Sequence, residues 1–432
     1  MKMKDSDIEW IGKIPENWGV AKVKHGFDRK NEKAQQDNPV VLSLARSGVK
    51  ERDISNNEGQ LAESYYNYNP VDVDDLLLNP MDLYSGANCS ISKVKGVISP
   101  AYFNLRAKKG FSPRFYDYYF KVQYWMMAFF AHGSGVSFEN RWTLTNQTLQ
   151  NYPILVPSFS EQTKIADYLD SKCAKIDEVI QTQEQIIDKL KEYKQALITE
   201  TVTGKVKIQN GKISGVYESY KNFGVEWIGK IPSWWKLSKF KFLSDEIGDG
   251  LHGTPIFDEG GDVYFLNGTN IGKENLFFKD DTARINSLEF EKYKHPVLNK
   301  QTIFIALNGA TYGKTSFYNN ERVLLGKSAG YITFNKSQNI HFLRYYLQSY
   351  SAKKIEEISL LGSTIQNLSL YTLNNFLVPL PTEIEQKYIV EYLDKQCAAI
   401  DKSIENKQQI IEKLAEYKKS LIYECVTGKK EI

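Results

Sequence analysis

The sequence is poor in the residues from which catalytic metal centres are built. Its 432 residues include five histidines (His25, His132, His252, His295, His341) and four cysteines (Cys89, Cys173, Cys397, Cys425). No two histidines stand at a ligand spacing and no cysteines read C-x-x-C, so neither a metal site nor a redox motif is legible. The same scarcity argues against a disulfide framework, and buried thiols in a reducing compartment are expected. No apolar run is long enough to span a bilayer, and no basic-then-apolar leader opens the chain. A soluble, cytoplasmic protein without a membrane partner is therefore predicted. Charge of one sign is also in short supply. With 55 Lys and Arg against 52 Asp and Glu, the net charge is +3. That permits nucleic-acid binding without arguing for it.

Cofactor motifs fail on inspection. Gly248-Asp249-Gly250-Leu251-His252-Gly253 has the G-x-G-x-x-G spacing, but Thr254-Pro255 follows and no helical pattern opens to receive a pyrophosphate. Gly309-Ala310-Thr311-Tyr312-Gly313-Lys314-Thr315 is one residue short of a phosphate loop. Asn79-Pro80-Met81-Asp82 lacks the second proline and the aromatic of an adenine-methyltransferase loop. No nucleophile, base and orienting group can be assembled. The expectation is a chain without catalytic residues, without a metal and without a bound cofactor.

What the sequence does contain is a repeat. Glu161–Lys205 returns as Glu385–Lys429 at an offset of 224 residues without a gap, with 26 identities in 45 positions. A period this long is a whole domain plus a helix, used twice. Each copy carries apolar residues on a lattice of alternating steps of four and three, with polar Gln183 or Lys407 at the position skipped after the fourth: Leu169, Cys173, Ile176, Ile180, then Ile187, Leu190 and Leu197 in the first, Leu393, Cys397, Ile400, Ile404, then Ile411, Leu414 and Leu421 in the second. A mean step near 3.5 predicts a coiled-coil seam. The helices are expected to pair antiparallel through Leu169, Ile176, Ile180, Ile187 and Leu190 against Leu393, Ile400, Ile404, Ile411 and Leu414. Each copy closes in Val-Thr-Gly-Lys, a helix stop with glycine just past the end. A second duplication precedes each domain: Ile8–Trp18 (IEWIGKIPENW) and Val225–Trp235 (VEWIGKIPSWW). Its tryptophans are expected to pack the chain onto a helix.

The predicted fold class is α/β (α+β): two mixed domains separated by an antiparallel pair of long helices, with an internal pseudo-twofold repeat. The predicted segments are a first domain, 1–157; a first helical repeat, 158–207; a polar linker, 208–221; a second domain, 222–381; and a second helical repeat, 382–432. Strand-like runs are Val40–Leu44, Asp75–Leu78 and Gly96–Leu105 in the first domain, and Val263–Leu266 and Thr302–Leu307 in the second. Helical stretches are expected over Phe115–Phe130 and Ile340–Ile358. Between similar ends the two domains share little sequence. Their loops are rich in side chains able to read base edges or hold phosphates. In the first domain these are Arg46, Ser47, Lys50, Arg52, Asn79, Tyr84 and Asn88. In the second they are His252, Thr254, Asn267, Asn270, Lys273, Asn308, Thr311, Tyr312 and Lys314.

The order of variable domain, EQ..IA.YLD…VTGK helix, second variable domain and second such helix resembles the specificity (S) subunit of type I restriction–modification systems. The paired IEWIGKIPENW and VEWIGKIPSWW segments, Asp249–Phe257 (DGLHGTPIF) and Asn308–Thr315 (NGATYGKT) add to the likeness, which covers nearly the whole chain. It implies two target-recognition domains, each reading half of a bipartite site in double-stranded DNA, and a helical pair acting as spacer and docking surface. It implies as partners two methyltransferase (M) subunits and restriction/motor (R) subunits, which would carry S-adenosylmethionine and ATP. Three other readings stay open: a self-sufficient DNA-modifying enzyme, a purely structural protein whose coiled coil mediates assembly without DNA, and an orphan subunit serving methylation alone.

Overall fold

The computed structural model describes residues 2–45, 47–54, 62–81, 83, 88–137, 142–293, 296–359 and 367–432. The repeated apolar stripes form two 44-residue helices, Phe159–Val202 and Glu383–Val426. Each opens on a capping box. Glu161 N–H donates to Ser158 Oγ at 3.3 Å while Ser158 N–H donates to Glu161 Oε2 at 3.1 Å. Thr382 and Glu385 repeat the exchange at 3.3 and 2.9 Å. Each ends at a left-handed glycine, Gly204 and Gly428, both at φ +70. The next N–H reaches back over the last turn, Lys205 to Glu200 O at 2.7 Å and Lys429 to Glu424 O at 2.8 Å, as the glycine stop requires.

The chain folds as two compact units, Met1–Glu184 with Gln408–Ile432, and Gln185–Lys407. Each long helix is thus divided between them. In the first unit Leu169, Cys173 and Ile176 enter one core with Leu421, Ile422, Cys425 and Val426, and Ile180 and Leu414 pack against it. In the second, Leu197, Ile198 and Val202 join Leu393, Cys397 and Ile400, with Leu190 and Ile404 alongside. Ile187 is buried in the second unit and Ile411 half-buried in the first. The seam expected to join helix to helix therefore also belongs to the domain cores, and 158–207 and 382–432 are not separate bodies. A single stripe on an isolated helix pair buries less apolar surface than one that also meets a domain.

Residues 208–221 differ from a linker. Lys207–Gln209 pairs with Lys212–Gly215, and Tyr220–Asn222 with Lys230–Pro232. Ile208 and Tyr217 are buried, and they fasten the stretch to the second core.

Each unit holds a four-stranded antiparallel sheet. The first contains β1 (Phe27–Arg29), β2 (Leu76–Leu78), β3 (Cys89–Ile91) and β4 (Phe103–Ala107) in the order β1-β4-β2-β3. The second contains β5 (Ser244–Asp249), β6 (Thr302–Ala306), β7 (Thr315–Phe317) and β8 (Ala329–Phe334) in the order β5-β8-β6-β7. The orders correspond strand for strand, so the two dissimilar interiors share one topology. The run Gly96–Leu105 is two strands, Gly96–Ile98 and β4, because Ser99-Pro100 breaks it. The aromatic helix runs Pro113–Trp125 and restarts at Ala128–Ala131 after Met127 at φ 58; the later one is likewise split, Ile340–Leu347 and Tyr350–Ser359.

The duplicated tryptophan segments clasp the helix ends. In the first unit Trp18 Nε1 and Asn17 Nδ2 donate to Glu161 Oε1 at 3.3 and 3.1 Å. Lys429 Nζ donates to the carbonyls of Ile11 and Lys13, both at 2.9 Å. In the second, Trp235 Nε1 and Trp234 Nε1 donate to Glu385 Oε1 at 3.3 Å, and Lys205 Nζ donates to Ile228 O at 3.2 Å and to Lys230 O. One segment in each unit thus ties the start of one long helix to the end of the other, which runs antiparallel to it. Burial raises the Glu161 carboxyl, but hydrogen bonds from Ser158, Asn17 and Trp18 outweigh it and leave it below its ordinary value. Burial alone lowers Lys205 and Lys429.

Candidate nucleic-acid interface

In the first unit the expected residues gather where the hairpin Leu42–Ala45/Gly48–Glu51 meets the β2–β3 connection. Arg46 and Tyr84 lie outside the described residues. Ser47 and Lys50 are exposed on the hairpin and Arg52 is half-buried just beyond it, its N–H on Val41 O at 2.8 Å. Asn79 and Asn88 build the loop. Asn79 Oδ1 accepts from Met81 N–H at 3.0 Å, an Asx turn, and its N–H donates to Asn88 O at 3.0 Å. Asn88 Nδ2 donates to Ala45 O, joining the two loops.

In the second unit four loops meet at one end of the sheet. They follow β5 (250–254) and Val263–Leu266 (267–270), link β6 to β7 (307–314), and link Val323–Leu325 to β8 (326–328). Here too several expected readers are structural. Asn270 Oδ1 accepts from Asn267 N–H at 2.9 Å and its Nδ2 donates to Phe277 O at 3.1 Å. Thr311 Oγ1 donates to Gly268 O at 2.7 Å. Asn308 bridges Asn367 in antiparallel fashion, and Tyr312 packs on the second core. The side chains held outward are His252, Thr254, Lys273 and Lys314, all exposed. His252 Nε2 lies 2.8 Å from Asp249 Oδ2.

Glycines allow this crowding. A Cβ on Gly250 would stand 2.2 Å from Leu325 O, and one on Gly326 2.5 Å from Asn267 Oδ1. The G-x-G-x-x-G spacing is therefore a loop-packing device. The next regular element after it is the strand Val263–Leu266, not a helix.

Sequence reasoning missed Ser328. Its hydroxyl accepts from Gly268 N–H at 2.9 Å and donates to Asn267 Oδ1 at 3.3 Å. Gly326-Lys327-Ser328 between two apolar runs was the available signal, a strand–turn–strand pattern. Among the described residues no group of His, Cys, Asp and Glu could hold a metal ion, and no helix is long and apolar enough to cross a membrane.

The chain is similar to several known proteins. Residues 254–416 match the family model of the type I restriction modification DNA specificity domain. The MjaVIII type I restriction enzyme specificity subunit of Methanocaldococcus jannaschii is 27% identical over 370 residues, covering 83% of this chain and 80% of the relative. The EcoBI specificity subunit of Escherichia coli is 23% identical over 440 residues, covering 93% and 84%. A chain from a structural study of assembly and conformational transition in a type I R-M system superposes with TM-score 0.70 at 17% identity, covering 96% of this chain and 99% of that one. The HsdS subunit of Thermoanaerobacter tengcongensis gives 0.51 at 14%, covering 96% and 98%. At these identities the structural likeness concerns the fold.

Proposed function

Because the chain belongs to the type I restriction–modification specificity subunits, we propose that each of its units reads one half of a bipartite site in double-stranded DNA. The observation that carries this is the common strand order β1-β4-β2-β3 and β5-β8-β6-β7. One scaffold holds two sets of loops with different sequences, as two different half-sites need. The exposed Ser47 and Lys50 serve the first, and His252, Thr254, Lys273 and Lys314 the second, through phosphates and base edges.

The long helices set the spacing between half-sites and dock two methyltransferase subunits. A repeated surface suits two copies of one partner. The repeat supplies an exposed, identical face in Tyr193 and Tyr417, 55% and 54% exposed, each beside an exposed Lys–Glu pair, Lys189 and Glu192 or Lys413 and Glu416. An aromatic ring left in water on both copies suits an interface anchor. Glu161 and Glu385 at the helix starts hold tryptophans, and Gln162 and Gln386 are buried, donating to Pro157 O and Pro381 O at 2.9 and 3.0 Å. Docking therefore belongs to the outer face. S-adenosylmethionine and ATP reside on the partner subunits, and restriction/motor subunits complete the complex in the cytoplasm.

The test is the methylome of a strain carrying the chain and its methyltransferase partner. A split motif that disappears on deletion of the chain is expected; unchanged methylation would contradict the reading.

A further inference from the structure

The turn 326–328 binds the other three loops of the second unit's candidate interface. Gly326 N–H donates to Leu266 O at 2.8 Å, and Lys327 N–H to Leu251 O at 3.0 Å. Leu251 N–H returns to Leu325 O at 2.7 Å, and Leu307 N–H donates to Ser328 O at 3.0 Å. With the Ser328 hydroxyl engaged on both Gly268 and Asn267, the residues flanking Lys327 are consumed in holding the other loops together. A side chain larger than glycine at 326 would collide with Asn267 and Phe265. The backbone under Lys327 is therefore fixed.

Lys327 itself points into solvent and, among the described residues, has no carboxylate within ion-pair distance. Two cations elsewhere in this unit are instead engaged, Lys292 with Glu289 at 2.6 Å and Arg322 with Asp262, so what sets Lys327 apart from exposed Lys273 and Lys314 is the bonded turn beneath it. The first unit has no counterpart. There the strand Gly96–Ile98 precedes β4 as Val323–Leu325 precedes β8, and each bridges in parallel fashion to an earlier strand or residue, Val97 to Val41 and Val323 to Tyr264. Its connecting turn reads Ser99-Pro100-Ala101-Tyr102, without a cation.

We propose that Lys327 is a DNA-phosphate contact that fixes the register of the second unit on its half-site. The proposal rests on the half-site reading above. An ammonium is a compact point charge with freely rotating donors, which suits a phosphate better than the paired acceptors of a base edge. A rigid hub is where a register-setting contact has most effect. The four loops keep their mutual positions, so fixing one fixes all.

The experiment measures binding of the full chain, assembled with its methyltransferase partner, to a duplex carrying the methylated motif across a salt series. Variants of that motif, each altered at one position, are measured in parallel. Lys327→Ala should weaken all duplexes alike and reduce the slope of log affinity against log salt by about one, the release expected for one phosphate. Lys327→Arg should keep the slope. Lys336→Ala, exposed beyond the opposite end of the six-residue β8 and so about 20 Å away, should change nothing. An unchanged slope in Lys327→Ala overturns the proposal. So does relaxed preference at one base pair with the slope intact, which would make Lys327 a base reader. A wild-type complex that binds all duplexes alike would overturn the half-site reading itself, and Lys327 with it.

Discussion

Lys418 Nζ donates to both carboxylate oxygens of Asp177 at 2.7 Å, within the first unit. Its repeat-related counterpart, Lys194 to Asp401 at 2.6 Å, lies within the second. Asp177 and Asp401, and Lys194 and Lys418, are each separated by the 224-residue offset of the repeat, so the two ion pairs are one contact made twice. With the clasp of its own unit, each pair defines the antiparallel register of the helix segments within that unit. Both pairs are partly exposed, so each contributes about 0.2–1 kcal/mol. Asp177→Lys should lower the melting temperature slightly, and Asp177→Lys with Lys418→Asp should restore it. A double variant no better than the single one would show that the pair has no part in register.

The helix stops offer a sharper test. Gly204 and Gly224 have nearly the same left-handed backbone, φ +70 and +75. A Cβ on Gly204 would stand 2.4 Å from Pro232 Cδ, while one on Gly224 meets nothing within 4 Å. Gly224→Ala should cost about 1 kcal/mol from backbone strain alone. Gly204→Ala should cost that plus the overpacking penalty of about 1–3 kcal/mol. Equal losses in thermal or denaturant unfolding would remove the clasp from the account.

The fold was largely legible because its strongest signals are periodic. The 3.5-residue stripe and the 224-residue offset locate both long helices, and Val-Thr-Gly-Lys locates their stops. The division of each helix between two cores was not legible, because Leu169 looks the same whether it faces a helix or a sheet. The candidate interface was half legible. Exposed Lys314 and structural Thr311 stand in one loop and are both polar; only the hydrogen bond of Thr311 to Gly268 separates them. Ser328 was missed because Gly326-Lys327-Ser328 signals a turn but not the hub that one hydroxyl and several backbone groups build there.

Acid should loosen the first unit through Asp72. Hydrogen bonds from Lys30 and then Arg106 lower its carboxyl from 3.8 to about 2. A carboxyl depressed on folding stabilises above its unfolded value, and that contribution is lost as pH falls from about 4 toward 2. Asp72 is partly exposed, so screening keeps the effect modest. Asp72→Asn should lower the melting temperature at pH 6 and converge with the wild type near pH 2. A constant difference across that range would contradict the assignment.

Docking is tested through the repeated tyrosines. Tyr193→Asp or Tyr417→Asp alone should leave complexes holding one methyltransferase copy, and the double variant should release both, as read by native mass spectrometry. Full occupancy in the double variant would move the docking surface elsewhere.

The central claim, that the helices are a ruler between two independent readers, is tested most directly by lengthening both. Four residues inserted after Glu184 and after Lys407 add about 6 Å of helix, a little over one turn. Methylome sequencing of the resulting strain should find both half-sites unchanged and the spacer between them longer by one or two base pairs, at 3.4 Å each. An altered half-site sequence with an unchanged spacer would contradict the account.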